Sequence, residues 1–175
     1  MSRDGRRRAG ALAALLASVA VAAGCGGPSE EGRVRETVSK AAARAEKRDL
    51  EGLGRYLDAG FESGDGRDKA GTLALVAGHL ERRRGVVVHV LGCRVTGIDP
   101  AGRASAEFEV ALSHGAAEVL RKLIRWSGTY YRFAAELVRD AAGEWRFAAA
   151  EWEEIPLTDL FPESLAVLKE LFPDL

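Results

Sequence analysis

The chain is poor in cysteine, proline and methionine: its 175 residues include two, five and one of them. Two cysteines, Cys25 and Cys93, exclude a disulfide scaffold and a zinc cluster built on cysteine. A surplus of one charge is missing too. There are 25 basic and 26 acidic residues, a net charge of -1, which excludes a strongly basic nucleic-acid binder. There is no phosphate loop, no Gly-x-Ser-x-Gly, no His-Glu-x-x-His and no internal repeat. The three histidines, His79, His89 and His114, fall on separate elements and make no metal site by spacing. Neither a metal nor a cofactor is therefore expected. What remains is an ordinary globular mixture, 47% hydrophobic and 29% charged, of a length that suits one domain with a short appendage.

The first residues differ from the rest. Arg3, Arg6, Arg7 and Arg8 precede an uncharged, alanine-rich stretch from Ala9 to Gly24. At sixteen residues it falls short of the roughly 20 that a spanning helix needs, and a basic head before such a stretch reads as a secretory signal. The stretch ends in Ala22-Ala23-Gly24-Cys25. This resembles the lipobox of bacterial lipoproteins, although Ala22 stands where a leucine is usual. The resemblance implies removal of residues 1–24 and lipidation of Cys25, with two or three acyl chains holding the protein to the membrane. Cleavage after Ala20-Val21-Ala22 is the alternative, and it would release a soluble protein. Residues 25–32, with Gly26, Gly27, Pro28 and Gly32, read as a short flexible tether. Gly26, rather than Asp, follows the cysteine, which by the family rule points to the outer membrane, facing the periplasm, if the cell is Gram-negative. The first 24 residues carry four arginines and one aspartate, so the rest holds 21 basic and 25 acidic residues. That net acidity is unsuited to gripping anionic lipid headgroups or DNA.

Beyond the tether, hydrophobic spacing predicts three helices, then strands. Arg33 to Lys47 is helical, with Val34, Val38, Ala41, Ala42 and Ala45 on one stripe. A shorter helix follows from Asp49, with Leu50, Leu53 and Leu57 on its stripe, and Phe61 to Ser63 reads as a short strand. The third helix runs from about Asp68 to Arg83, with Leu73, Val76, Ala77 and Leu80 inward. The period then becomes two. Strands are predicted over Val86 to Asp99, Arg103 to Ser113, Thr129 to Asp140 and Trp145 to Glu154, with turns at Asp99 to Gly102 and Ala141 to Glu144. His114 to Ser127 suits either a short helix or a packed loop. Phe161 to Phe172 reads as a terminal helix. Helices followed by an antiparallel meander make an α+β architecture.

The segments ARAEKRDLEGLGRYLDAGF, GRDKAGTLALVAGHL and GTYYRFAAELVRDAAGEWRFAAAEW are similar to the opening, third helix and final hairpin of nuclear transport factor 2-like (SnoaL-like) domains. The resemblance covers about Val34 to Glu154. It implies a cystatin-like, cone-shaped α+β barrel: N-terminal helices on a curved antiparallel sheet, often with an internal pocket and often dimeric. On this reading the domain spans 33–155 and residues 156–175 form a C-terminal helical extension. The superfamily includes isomerases, cyclases and hydrolases beside proteins without catalysis, so the fold gives no activity.

Strand alternation nominates pocket residues. Val87, His89, Leu91, Cys93 and Val95 form one candidate inward set, in competition with Val86, Val88 and Val90. Tyr131, Phe133, Ala135 and Leu137 form the second. Trp145, Phe147 and Ala149, with Glu151, form the third, opposite Arg146, Ala148, Ala150 and Trp152. His89, Tyr131 and Glu151 are then the polar groups on apolar faces, candidates for general acid-base work; satisfaction at the rim or by the backbone is the other reading. Cys93 reads as a small buried hydrophobe. Trp126, Trp152 and Phe161 are candidate surface anchors. Trp152, Arg132 and Ala150 make a candidate homodimer patch on the outer sheet face. The expected function is a non-catalytic module that holds a small apolar ligand or a partner protein at the membrane, the alternative a small cone-pocket enzyme.

Overall fold

The computed structural model describes residues 29–82, 85–114, 129–171 and 173. The signal, Cys25, Trp126 and, beyond His114, the segment that suits a short helix or a packed loop lie outside them.

Helix α1, Glu30–Glu46, starts at Glu30 rather than Arg33. Ser29 Oγ accepts the Gly32 N–H at 3.1 Å, and Glu30 and Glu31 complement the dipole in the first turn. The last residues of the predicted tether are therefore helical. The predicted stripe is the buried one: Val34, Val38 and Ala41 all face the core. Asp49 caps α2, Leu50–Gly54, by accepting the Gly52 N–H at 2.8 Å. A Cβ at Gly52 would lie 2.2 Å from Asp49 Oδ2, so a larger residue there would push the capping carboxylate aside. The helix is only five residues long, so Leu57 is not on its stripe. Leu57 instead opens β1, Leu57–Ser63, which is longer than the expected Phe61 to Ser63. Helix α3, Lys69–Arg82, begins where Asp68 Oδ1 accepts the Gly71 N–H at 2.8 Å.

The meander is β2 (Val86–Asp99), β3 (Arg103–His114), β4 (Thr129–Arg139) and β5 (Trp145–Ile155). The sheet order is β1-β5-β4-β3-β2, antiparallel from β2 to β5, with β1 joining β5 in parallel. The sheet is thus mixed, and it stays open. Both predicted hairpin turns form. Gly102 and Gly143 supply the left-handed backbone at φ +83° and +81°, and Asp140 Oδ1 accepts the Ala142 and Glu144 N–H groups, both at 2.9 Å.

The two faces bury separate cores. Helix α1 packs on the inner face over Phe108, Val110, Leu137, Trp145 and Phe147. On the outer face, α4 (Pro162–Leu171) packs Leu168 and the preceding Leu160 against Leu91, Ala111, Tyr130 and Ile155.

Bulges correct two of the three predicted inward sets. In β4 the alternation holds: Ala135 and Leu137 are buried in the inner core, with Phe133 packed against it. In β2 the register slips between Val90 and Gly92. Val88 and Val90 therefore face inward before the bulge, and Cys93 and Val95 face inward after it, while Leu91 joins the outer core. In β5 the register slips opposite Glu136 and Leu137. Trp145 and Phe147 face the core, and beyond the slip it is Ala150 and Trp152 that turn inward. Ala149 and Glu151 are on the other side.

Candidate functional site

A cavity of about 440 Å³ opens between α1, α3 and the inner sheet face. Each wall follows from the periodicity of its element. The C-terminal half of α1 contributes Val38, Ala41 and Ala45; the small alanines leave room that larger side chains would fill. Helix α3 contributes Leu73, Val76 and Leu80 with Thr72 and His79 on the same stripe. The sheet contributes an aromatic floor, because β3, β4 and β5 place Phe108, Phe133 and Trp152 directly opposite one another. Phe108 and Phe133 stack with centroids 4.9 Å apart and planes 4° apart, and Trp152 follows with its centroid 6.1 Å from Phe133. Among the described residues lining the cavity there is no aspartate, glutamate, lysine or arginine.

The three sequence candidates do not meet. Tyr131 lines the cavity. His89 lies on the opposite sheet face, its Nε2 3.4 Å from Ser113 Oγ. Burial lowers its pKa, opposed by the charge of Glu46. Glu151 is exposed and lies over Gly64, where a Cβ would come 2.5 Å from Glu151 Cγ. The β-bulges explain both losses, since each shifts the alternation by one residue. The three residues of the candidate dimer patch do not share a face, for the same reason. Trp152 and Ala150 line the cavity, whereas Arg132 is on the outer face beneath α4. Phe161 is no free anchor either; it is half-buried, with the Arg94 and Arg132 guanidinium groups 3.7 and 4.6 Å from its ring centroid. Cys93 packs against the inner core, and burial pushes its thiol pKa up.

Three residues were missed. Thr72 sits in the cavity wall and is 7% exposed. The signal was available, since it is a polar residue on the apolar α3 stripe, seven positions before His79. Trp152 required knowledge of the bulge. Glu109 lies on the outer face of β3, opposite in phase to Phe108 and Val110, and it is fully buried there. Arg132 donates to Glu109 Oε1 at 2.7 and 3.0 Å, and the Phe161 N–H donates to Oε2 at 2.8 Å. Burial of that face depends on α4, which strand alternation cannot see.

No protein-family model matches the chain, and no curated protein matches it in sequence. Solved structures do. A protein of unknown function from Nostoc punctiforme with a cystatin-like fold superposes with TM-score 0.56 at 13% identity, over 74% of this chain and 93% of that one. The fold is nuclear transport factor 2-like. A nuclear transport factor 2-like protein of unknown function from Pseudomonas aeruginosa matches with TM-score 0.56 at 13% identity, over 71% of this chain and 99% of that one. A scytalone dehydratase-like protein from Novosphingobium aromaticivorans matches with TM-score 0.57 at 14% identity, over 71% and 83%. At these identities the likeness extends to the nuclear transport factor 2-like fold and stops there.

Proposed function

We propose that the chain is a lipoprotein of the bacterial cell envelope, anchored through Cys25, whose nuclear transport factor 2-like domain holds a small apolar molecule without transforming it. The observation that carries the binding reading is the cavity. Its 440 Å³ falls within the roughly 300–1,000 Å³ of small-molecule sites. Its walls are aliphatic and aromatic, and no carboxylate among the lining residues stands ready as a base. The anchoring reading is supported by the arginine-rich head, the apolar stretch to Gly24 and the cysteine that ends it. No helix among the described residues is long and apolar enough to cross a membrane.

A cone-pocket enzyme is the second reading. Tyr131 and His79 in the wall favour it, together with the dehydratase-like neighbour. One experiment separates the two. Among the described residues every buried core residue lies at Val34 or later, so a chain beginning at Gly26 retains the whole described fold without the anchor. Native mass spectrometry of that chain, purified from its own host, identifies a bound molecule, and turnover of that molecule is then assayed. Under the binding reading Tyr131→Phe and His79→Ala change affinity by about tenfold or less, the range for one lost hydrogen bond, and nothing is consumed. Turnover that vanishes in either variant with unchanged melting would establish the enzyme.

A further inference from the structure

Thr72 Oγ1 is buried and has no hydrogen-bond partner. A helical threonine ordinarily returns its hydroxyl to a carbonyl three or four residues back. Here Asp68 O accepts the Thr72 backbone N–H at 2.9 Å, and the hydroxyl has no bond of its own. An unmatched hydroxyl in a structural core is a net cost that valine, of the same shape, would avoid. Its position makes the cost intelligible, because Thr72 is in the wall of the cavity. The oxygen is inaccessible as it stands, and a χ1 step between the two rotamers that helical threonines use moves it to another staggered position. His79 lines the same wall but is exposed. It stands seven residues along the helix, about 10 Å at the usual rise.

We propose that the Thr72 hydroxyl is the inner hydrogen-bonding anchor of the cavity. Its ligand is then an uncharged, mostly aromatic or aliphatic molecule that carries one hydroxyl or carbonyl oxygen at its buried end. The inference rests on the binding reading above and specifies its chemistry. Lack of charge at that end follows from the lining: beside Thr72 a carboxylate or ammonium would lose its hydration and meet no opposite charge, the imidazole of His79 being a helix turn and more away. Aromatic character fits the floor of Phe108, Phe133 and Trp152. Because Thr72 both donates and accepts, it serves an alcohol as well as a ketone.

The test uses the chain beginning at Gly26 and displacement of the neutral fluorophore N-phenyl-1-naphthylamine by 2-naphthol, 2-methylnaphthalene and 2-naphthoate. These three share a ring system and differ only in one substituent. The expected order is naphthol tightest, with about five- to tenfold over methylnaphthalene, the value of one net hydrogen bond, and naphthoate weakest. Thr72→Val should erase the naphthol advantage, leave methylnaphthalene binding unchanged and melt no lower than the native chain. Thr72→Ser should restore the advantage. If the fluorophore binds and Thr72→Val leaves the naphthol ratio intact, the anchor is wrong and the cavity reading stands; if naphthoate binds best, the uncharged ligand is wrong as well. If neither the fluorophore nor any naphthalene binds, both are wrong.

Discussion

Removing the guanidinium from Arg132 tests how the outer face is held. Glu109 is fully buried, and its carboxylate has two donors: Arg132, which is 28% exposed at its side chain, and the Phe161 N–H. Arg132 also donates to Asp159 O and lies over the Phe161 ring. One side chain thus joins β4 to β3 and to the entry of α4. In Arg132→Met the carboxylate keeps only the Phe161 N–H. Breaking a buried pair from one side costs about 3–5 kcal/mol. The partial exposure of Arg132 places the expectation near the lower bound, about 3 kcal/mol, with part of that in the lost contact over Phe161. The double variant Glu109→Leu/Arg132→Met should recover most of the loss, because an apolar pair leaves no stranded charge. Urea melts of the four members of the cycle give the coupling, and hydrogen exchange at the Phe161 amide reports release of α4. A cost below about 1 kcal/mol for Arg132→Met, the value of an ordinary surface pair, would refute the reasoning, and so would a double variant no better than the single.

Four further outcomes are expected. Trp145 is 2% exposed, and its Nε1 donates to Glu30 Oε2 at 3.1 Å; Trp145→Ala should cost about 3–5 kcal/mol in denaturant melts, and a small effect would contradict its place in the core. Val76→Trp should fill the cavity and abolish binding of N-phenyl-1-naphthylamine while circular dichroism keeps the native spectrum. Cys25→Ser should move the protein out of the membrane fraction and end incorporation of labelled fatty acid; continued membrane association without label in the native chain would overturn the anchor. For His89 the folded pKa lies below the ordinary 6.5, so the unfolded chain binds more protons. Its contribution is complete above 6.5 and declines as pH falls from there toward the folded value, so His89→Gln should flatten the stability profile in that interval, read by thermal melts across pH.

Helices and turns were legible because their causes are local. The α1 stripe of Val34, Val38 and Ala41 is a 3.6 repeat, and Asp99-Pro100-Ala101-Gly102 is a turn by composition. The site was less legible because it depends on strand phase. One extra residue near Leu91 moves it to the outer core, and another near Ala148 sends Trp152 into the cavity and Glu151 out. Bulges leave little mark in the sequence: Gly92 is one, explained by the Ser164 Oγ that a Cβ would meet at 2.5 Å. The run Ala148-Ala149-Ala150 carries no alternation at all. Glu109 shows a different limit. A glutamate on the outer face of a strand reads as solvated until α4, some fifty residues later, covers it.

The central claim is that the cavity between α1, α3 and the aromatic floor is a binding site for an uncharged apolar molecule. The most direct measurement is isotope-filtered nuclear Overhauser spectroscopy on the labelled chain beginning at Gly26, saturated with N-phenyl-1-naphthylamine. Cross-peaks from the probe to the methyl groups of Leu73, Val76 and Val110, which all line the cavity, are the predicted result. Cross-peaks confined to Leu91, Leu160 and Leu168 of the outer core, or none at saturating probe, would contradict it.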